Sequence, residues 1–225
     1  MSPEHRRPRS ASVPGDPRRT RPTRLLIATT NRDKLREIHT VLEGEPLELL
    51  TLAELPRIDE PNETGATFAA NARLKAQHYA RAAAAVVNDP SLLTIAEDSG
   101  LVIDALDGEP GVRSARFLRP DASYAERFDE IYRRLAERPG RPRTARFICA
   151  LAAVSGADVV FETTGVVEGE ISSEPRGAHG FGYDPIFRCP PYGRTLAEVD
   201  DEEKLGVAHR GHAFRNLRAW LSSTG

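Results

Sequence analysis

The chain has 225 residues, 40% of them hydrophobic and 28% charged, and a formal net charge of −2 at pH 7. That is the make-up of a soluble globular protein with ample length for a core, and no apolar run approaches the roughly 20 residues of a membrane span. Residues 1–24 hold seven arginines against Glu4 and Asp16, a local +5, so the remainder carries −7 and argues against general nucleic-acid binding.

Met1 to about Pro22 is rich in Arg, Pro and Ser, and lacks apolar periodicity. It reads as a disordered extension, residues 1–22, ahead of one domain over 23–225. It is either a polyanion-binding arm or an unselected leader, and without an apolar h-region it makes a poor secretory signal. Cys149 and Cys189 lie far apart, with no CxxC or Cys/His metal spacing. A reduced, cytoplasmic protein is therefore expected. The basic residues number 31, yet only Lys34, Lys75 and Lys204 are lysines. Such a bias points to places where a compact point charge is needed and a planar fork does not fit.

In chain order, Leu25–Ala28 reads as a short buried strand, and Thr29-Thr30-Asn31 as a helix start. Leu35, Ile38, Val41 and Leu42 supply the apolar stripe of that helix. Asn31 and Lys34 thus sit at a helix N-terminus, where free N–H groups and the helix dipole favour phosphate, although Thr30 or Asn31 also reads as a plain cap. Leu47–Leu52 reads as a second strand. Thr67 is the predicted cap of a helix from Phe68 to about Val87, on which Asn71 and Lys75, four apart, share a face. Glu63, just before that helix, stands as a possible metal partner for Asp98.

The run Leu92–Ala96 reads as a buried strand ending in Glu97-Asp98-Ser99-Gly100. Alternation along a strand sends Glu97 and Asp98 to different sides. Gly100 lets the backbone turn or approach a ligand closely. Arg113 and Arg116 follow the turn at Gly108–Gly111. Carboxylate, hydroxyl and guanidinium groups so close together suit a metal-bound phosphate, or equally a strand end with surface ion pairs. Asp121 is the predicted cap of a helix through about Ala136, with Phe128, Ile131 and Leu135 turned inward. Arg143–Val154 and Val159–Ile171 read as a hairpin, with Cys149 in the core. In Gly180-Phe181-Gly182-Tyr183-Asp184 the glycines suggest exposed backbone carrying aromatic faces that stack on a base while Asp184 reads its edge; the same residues also fit a loop with its aromatics in the core. Thr195 to Glu198 has the capping-box pattern, and His209-Arg210 opens the last helix.

Together these stretches resemble the inosine/xanthosine triphosphate pyrophosphatase family. The resemblance rests on Ala28–Lys34, Glu63-Thr64-Gly65 through Lys75-Ala76, Asp98-Ser99-Gly100-Leu101, Pro110-Gly111, Ser114–Phe117, Gly180–Pro185 and His209-Arg210. All three lysines fall within the matching region. It implies an α/β fold: an elongated mixed β-sheet flanked by helices, in two lobes with a central active-site cleft, usually as a homodimer. The implied reaction is Mg²⁺-dependent hydrolysis of ITP, dITP or XTP to the monophosphate and pyrophosphate. By the same resemblance Asp98 is general base or metal ligand, and Glu63 a metal ligand. Thr29, Asn31, Lys34, Lys75 and Ser99 bind phosphates, and Phe181 stacks on the base. Asp184, Lys204, His209 and Arg210 complete base recognition, and Thr30, Gly182 and Tyr183 join the substrate-binding set. Glu97, Arg194 and Ala208 depart from common residues of that family. The expected partners are purine nucleotides and a second copy of the chain, with no membrane and no specific nucleic acid. A non-catalytic nucleotide-binding protein on the same scaffold, or a nucleic-acid binder using the Arg-rich tail, are the competing readings.

Overall fold

The computed structural model describes residues 24–223; the predicted 1–22 extension lies outside the described residues. Their strands form one sheet in the order β2 (Glu48–Thr51), β1 (Arg24–Ile27), β3 (Leu93–Ile103), β4 (Thr144–Ser155), β5 (Asp158–Ile171), β6 (Phe187–Cys189) and β7 (Arg194–Thr195). β1 runs parallel to β2 and to β3, and every later pairing is antiparallel. The sheet is mixed, as expected.

Strand β3 organises the molecule. The apolar run predicts a strand ending near Ala96, with Gly100 free either to turn or to allow close approach; instead the strand runs straight through the polar stretch to Ile103, paired with β4 along its whole length. The ladder of hydrogen bonds outweighs the polarity of Glu97-Asp98-Ser99, because those side chains find partners on both faces. Gly100 serves close approach rather than turning. A Cβ there would lie 2.3 Å from Ser114 Oγ and 2.7 Å from the Gly111 carbonyl, so the segment Gly111–Arg116 packs directly on the strand.

The two faces of β3 differ in what covers them. Helix α2 (Phe68–Ala84) lays Ala72, Ala76 and Ala80 against Ala96, Ala150 and Ala152, a small-on-small contact that brings helix and strand backbones close. It ends at Ala84, three residues short of the expected Val87. On the other face, α1 (Arg32–Leu42) and α5 (His209–Ser223) pack Ile38, Leu42, Phe214 and Leu217 on Leu25, Ile27, Leu93 and Ile95. A third apolar cluster, at the far end of the sheet, joins Leu101 and Ile103 to Phe128, Ile131 and Leu135 of α3 (Tyr124–Ala136) and to Phe147 and Phe187. Its cap is Ser123, in a capping box with Glu126, not Asp121 as the sequence reading had it. Ser123 stands one residue before Tyr124, where its hydroxyl reaches the Glu126 N–H. α4 (Asp201–Val207) leads into α5. No described helix is long and apolar enough to cross a membrane.

Candidate active site

Alternation on β3 places Asp98 on the α2 face and Glu97 on the α1/α5 face, as predicted. Asn71 and Lys75, one turn apart on α2, both meet Asp98. Asn71 Nδ2 donates to Oδ2 at 3.1 Å, and Lys75 Nζ lies 2.9 Å from Oδ1. Lys75 is also 2.7 Å from Glu63 Oε1, and Arg116 Nη1 is 2.6 Å from Glu63 Oε2. The Gly65 N–H donates to Asn71 Oδ1, which ties the Glu63–Gly65 loop to the helix. Burial raises Asp98 above the ordinary aspartate value; Lys75 opposes the rise and Glu63 adds to it. Glu63 goes the other way: burial is outweighed by Lys75 and Arg116. Glu63, Lys75 and Arg116 line a cleft of about 620 Å³ that also takes in Thr29, Thr30, Asn31, Lys34, Glu60 and Glu97; Asp98 meets it through its ion pair with Lys75.

On the opposite face lies a buried, charge-balanced network. Glu97 accepts from Lys34 Nζ at 2.8 Å, from Arg210 Nη2 at 3.2 Å and from the Cys149 thiol at 3.3 Å. Arg210 reaches on to Glu37 Oε2 at 2.5 Å and to Ser99 Oγ at 3.0 Å. Lys204 Nζ sits 2.6 Å from both Glu37 Oε1 and Asp184 Oδ2. Three carboxylates, Glu37, Glu97 and Asp184, thus face three cations, Lys34, Lys204 and Arg210. Burial penalises Glu97, yet Arg210 and Lys34 hold it well below the usual carboxylate range. Asp184 shares Lys204 with Glu37, and burial leaves its value raised.

Beside this network is a narrow cavity of about 90 Å³, walled by Ser99, Tyr124, Phe181, Tyr183, His209 and Arg210 among others. Lys204 Nζ stands 4.7 Å and the Arg210 guanidinium 5.5 Å from the Phe181 ring centre. His209 stacks on Phe147, centroids 4.8 Å apart, and its buried Nδ1 has no hydrogen-bond partner. Burial and the neighbouring Arg210 push His209 well below the ordinary histidine range, so its ring is neutral. Asn31, Lys34 and Ala115 line both cavities. A wide charged cleft therefore opens into a narrow pocket with ring-shaped walls, the form required by a ligand that is anionic at one end and flat at the other.

The sequence model of the Ham1 family matches residues 25–220. The chain belongs to the Ham1 family. It is 40% identical over 198 residues to the dITP/XTP pyrophosphatase of Halalkalibacterium halodurans, covering 87% of this chain and 97% of that one. It is 42% identical over 203 residues to the dITP/XTP pyrophosphatase of Geobacter sulfurreducens, covering 90% and 98%. A Ham1 protein from Coxiella burnetii superposes with a TM-score of 0.79 at 36% identity, over 89% of this chain and 98% of that one. The Ham1 protein of Staphylococcus aureus does so with a TM-score of 0.76 at 33% identity, over 90% and 100%.

Within this Ham1 fold, the fifteen residues singled out from the sequence fall around the two joined cavities or touch residues that line them. Several do so differently than expected. Asn31 spends its Oδ1 on the Asp33 and Lys34 N–H groups, so two of the helix donors expected to be free for phosphate are already capped. Thr30 Oγ1 donates to Glu60, and Thr29 Oγ1 accepts the Asn31 N–H. Tyr183 is not an exposed stacking face: it is 4% exposed, packs against Tyr124 and Phe128, and donates its hydroxyl to the Ser114 carbonyl. Asp184 Oδ2 is engaged by Lys204 and by the Phe181 N–H, so it props the aromatic loop. Asn71, Glu97 and Arg116 stand out in the sequence without a binding or catalytic role assigned to them, and Glu37 does not stand out at all. Glu37 lies three residues after Lys34, one turn along the same face of α1. That spacing was the available signal.

Proposed function

We propose that the chain hydrolyses deaminated purine nucleoside triphosphates (ITP, dITP and XTP) to the monophosphate and pyrophosphate, and so clears them from the nucleotide pool. The observation that carries this reading is the junction of the two cavities. A carboxylate–lysine cleft of phosphate character opens into a ring-walled pocket that holds a neutral histidine with an unpartnered nitrogen. Relatives at about 40% identity named dITP/XTP pyrophosphatase support it.

In this mechanism the triphosphate lies along Thr29–Asn31, Lys34, Lys75 and Arg116, whose charges offset its own. Asp98 is the general base. Its carboxylate is oriented by Asn71 and Lys75, and its raised affinity for a proton suits it to take one from the attacking water. Water adds at the α-phosphorus, the bond to the bridging oxygen breaks, and pyrophosphate leaves. Positioning and charge neutralisation, rather than covalent catalysis, carry the rate. Glu63 and Asp98 fit a divalent cation: both are hard oxygen donors, and they already converge on one positive charge, the Lys75 ammonium. Mg²⁺ is commonly held by one or two carboxylates together with substrate phosphates. Glu63 and Asp98 would hold it here, and it would supply further charge neutralisation to the phosphates.

At the other end, Phe181 offers a ring face to the base. Donors such as Arg210 and Lys204 suit the 6-oxo acceptor of hypoxanthine and xanthine. Against adenine, whose 6-position is an amine, the hydrogens that Arg210 and Lys204 do not spend on Glu37, Glu97 and Asp184 would meet another donor, which is a penalty. A homodimer and a cytoplasmic location belong to the same proposal; they rest on the family resemblance and on two cysteines that are both free thiols.

The selectivity is tested with purified protein and Mg²⁺ given dITP, XTP, dGTP and dATP separately. The expected kcat/KM for dITP and XTP exceeds that for dATP by at least 100-fold; equal rates would contradict the donor-lined pocket.

A further inference from the structure

Among the described residues, most large hydrophobic side chains are buried or partly buried, and only Val86, Leu118 and Tyr124 stand out as exposed, Tyr124 at 40%. Tyr124 is the one that lines the nucleoside pocket, beside Phe181 and Gly182. It opens α3, and its position is set on three sides. Ser123 and Glu126 close a capping box directly before it. The Tyr183 ring meets it edge-on, centroids 5.3 Å apart. The Arg127 guanidinium lies 4.9 Å from the centre of its ring.

Arg127 is itself unusual. It is 3% exposed, and its hydrogen bonds go to the carbonyls of Ser114, Arg119 and Pro120 rather than to a carboxylate. A buried guanidinium that meets only carbonyls, with its Nε unpartnered, is costly to keep. Here it joins the Ser114–Arg116 segment, the Arg119-Pro120 loop and the Tyr124 ring. The Tyr183 hydroxyl shares the Ser114 carbonyl with it. The ring of Tyr124 is therefore both exposed to the pocket and restrained, which lowers the entropy lost when a ligand packs against it.

Resting on the activity proposed above, we infer that Tyr124 is a nucleoside-binding residue: its ring forms a wall of the pocket and packs against the base–ribose end of the substrate, while Arg127 is its positioning residue. Aromatic surface is the relevant property, because a ring offers a large, rigid contact to a purine at little conformational cost.

The test measures binding of inosine monophosphate and of inorganic pyrophosphate separately by calorimetry, for the full chain and for Tyr124→Ala and Tyr124→Phe. The monophosphate carries base and ribose; pyrophosphate carries neither. Tyr124→Ala is expected to weaken inosine monophosphate about tenfold and to leave pyrophosphate within twofold of the unmodified chain. Tyr124→Phe keeps the ring and is expected to bind inosine monophosphate within threefold of the unmodified chain. In turnover of dITP, Tyr124→Ala is expected to raise KM by a similar factor and to change kcat less than threefold. Unchanged monophosphate affinity in Tyr124→Ala overturns the proposal, as does an equal loss for both ligands or a loss in Tyr124→Phe as large as in Tyr124→Ala. Binding of inosine monophosphate without hydrolysis of dITP in the unmodified chain would sink the activity while the role of Tyr124 is still decided by these affinities; no binding at all would sink both.

Discussion

Glu97 and Asp98 are neighbours in sequence, yet their carboxylates leave opposite faces of β3 and find different partners: Glu97 is held by Lys34 and Arg210, Asp98 by Lys75 and Asn71. The pleat of one strand thus separates the carboxylate held in the buried ion network from the one proposed as the base. The raised proton affinity of Asp98 and the depressed one of Glu97 match that division. Asp98→Asn keeps the shape and removes the base, but its single amide oxygen can accept from only one of the two donors, Asn71 and Lys75. It is expected to lower kcat by about 10²–10⁴-fold with nucleotide affinity largely retained. A parallel loss of affinity or of fold would make Asp98 structural.

Glu37 ties the helix that bears Lys34 to Lys204 and Arg210. Burial works against its charge, but the two cations win and its value is lowered from the ordinary glutamate 4.5. The unfolded chain therefore binds this proton more readily, so the stabilisation is complete above about pH 4.5 and is lost as pH falls through the lower folded value. Glu37→Gln leaves Lys204 and Arg210 with less compensation. At pH 7 it is expected to destabilise the fold by about 3 kcal/mol, and its acid limb in thermal melts should be shallower than that of the unmodified chain. An unchanged acid limb would show that Glu37 does not titrate as argued.

Gly165 lies where β5 passes beneath the start of α5. A Cβ there would stand 2.0 Å from the His209 carbonyl oxygen and 2.6 Å from the Ala213 nitrogen, both backbone atoms that cannot swing aside. Gly165→Ala is expected to cost about 1–3 kcal/mol and to lower the melting temperature by several degrees. Because α5 begins with His209 and Arg210, the same change should weaken inosine monophosphate binding. A melting temperature within one degree of the unmodified chain would contradict this contact.

Much of this arrangement was legible in the sequence where a local rule decided it. Period-2 alternation separated Glu97 from Asp98, i,i+4 spacing put Asn71 and Lys75 on one face, and the scarcity of lysine singled out the three that the structure brings to the site. Sequence reading fell short where tertiary pairing overrode local signals. At Gly100 the sequence leaves a turn and a close approach equally open, because nothing local reveals that β4 pairs through it and that Ser114 packs on it. Tyr183, between glycines, fits an exposed face and a core position alike, because its burial depends on Tyr124 and Phe128, from an element 55 or more residues earlier in the chain. Glu37 was missed because a glutamate on an amphipathic helix is ordinarily solvated, and only Lys204 and Arg210, brought across by α4 and α5, make it a buried partner.

In the proposed reaction, the bond that breaks is the one between the α-phosphorus and the oxygen bridging to the β-phosphorus. Purified protein with Mg²⁺ and dITP, its products resolved by anion-exchange chromatography, distinguishes the possibilities in one run. Deoxyinosine monophosphate and pyrophosphate in equal amounts are the predicted products. Deoxyinosine diphosphate with orthophosphate would place cleavage at the outer anhydride and contradict the proposed placing of the α-phosphorus beside Asp98.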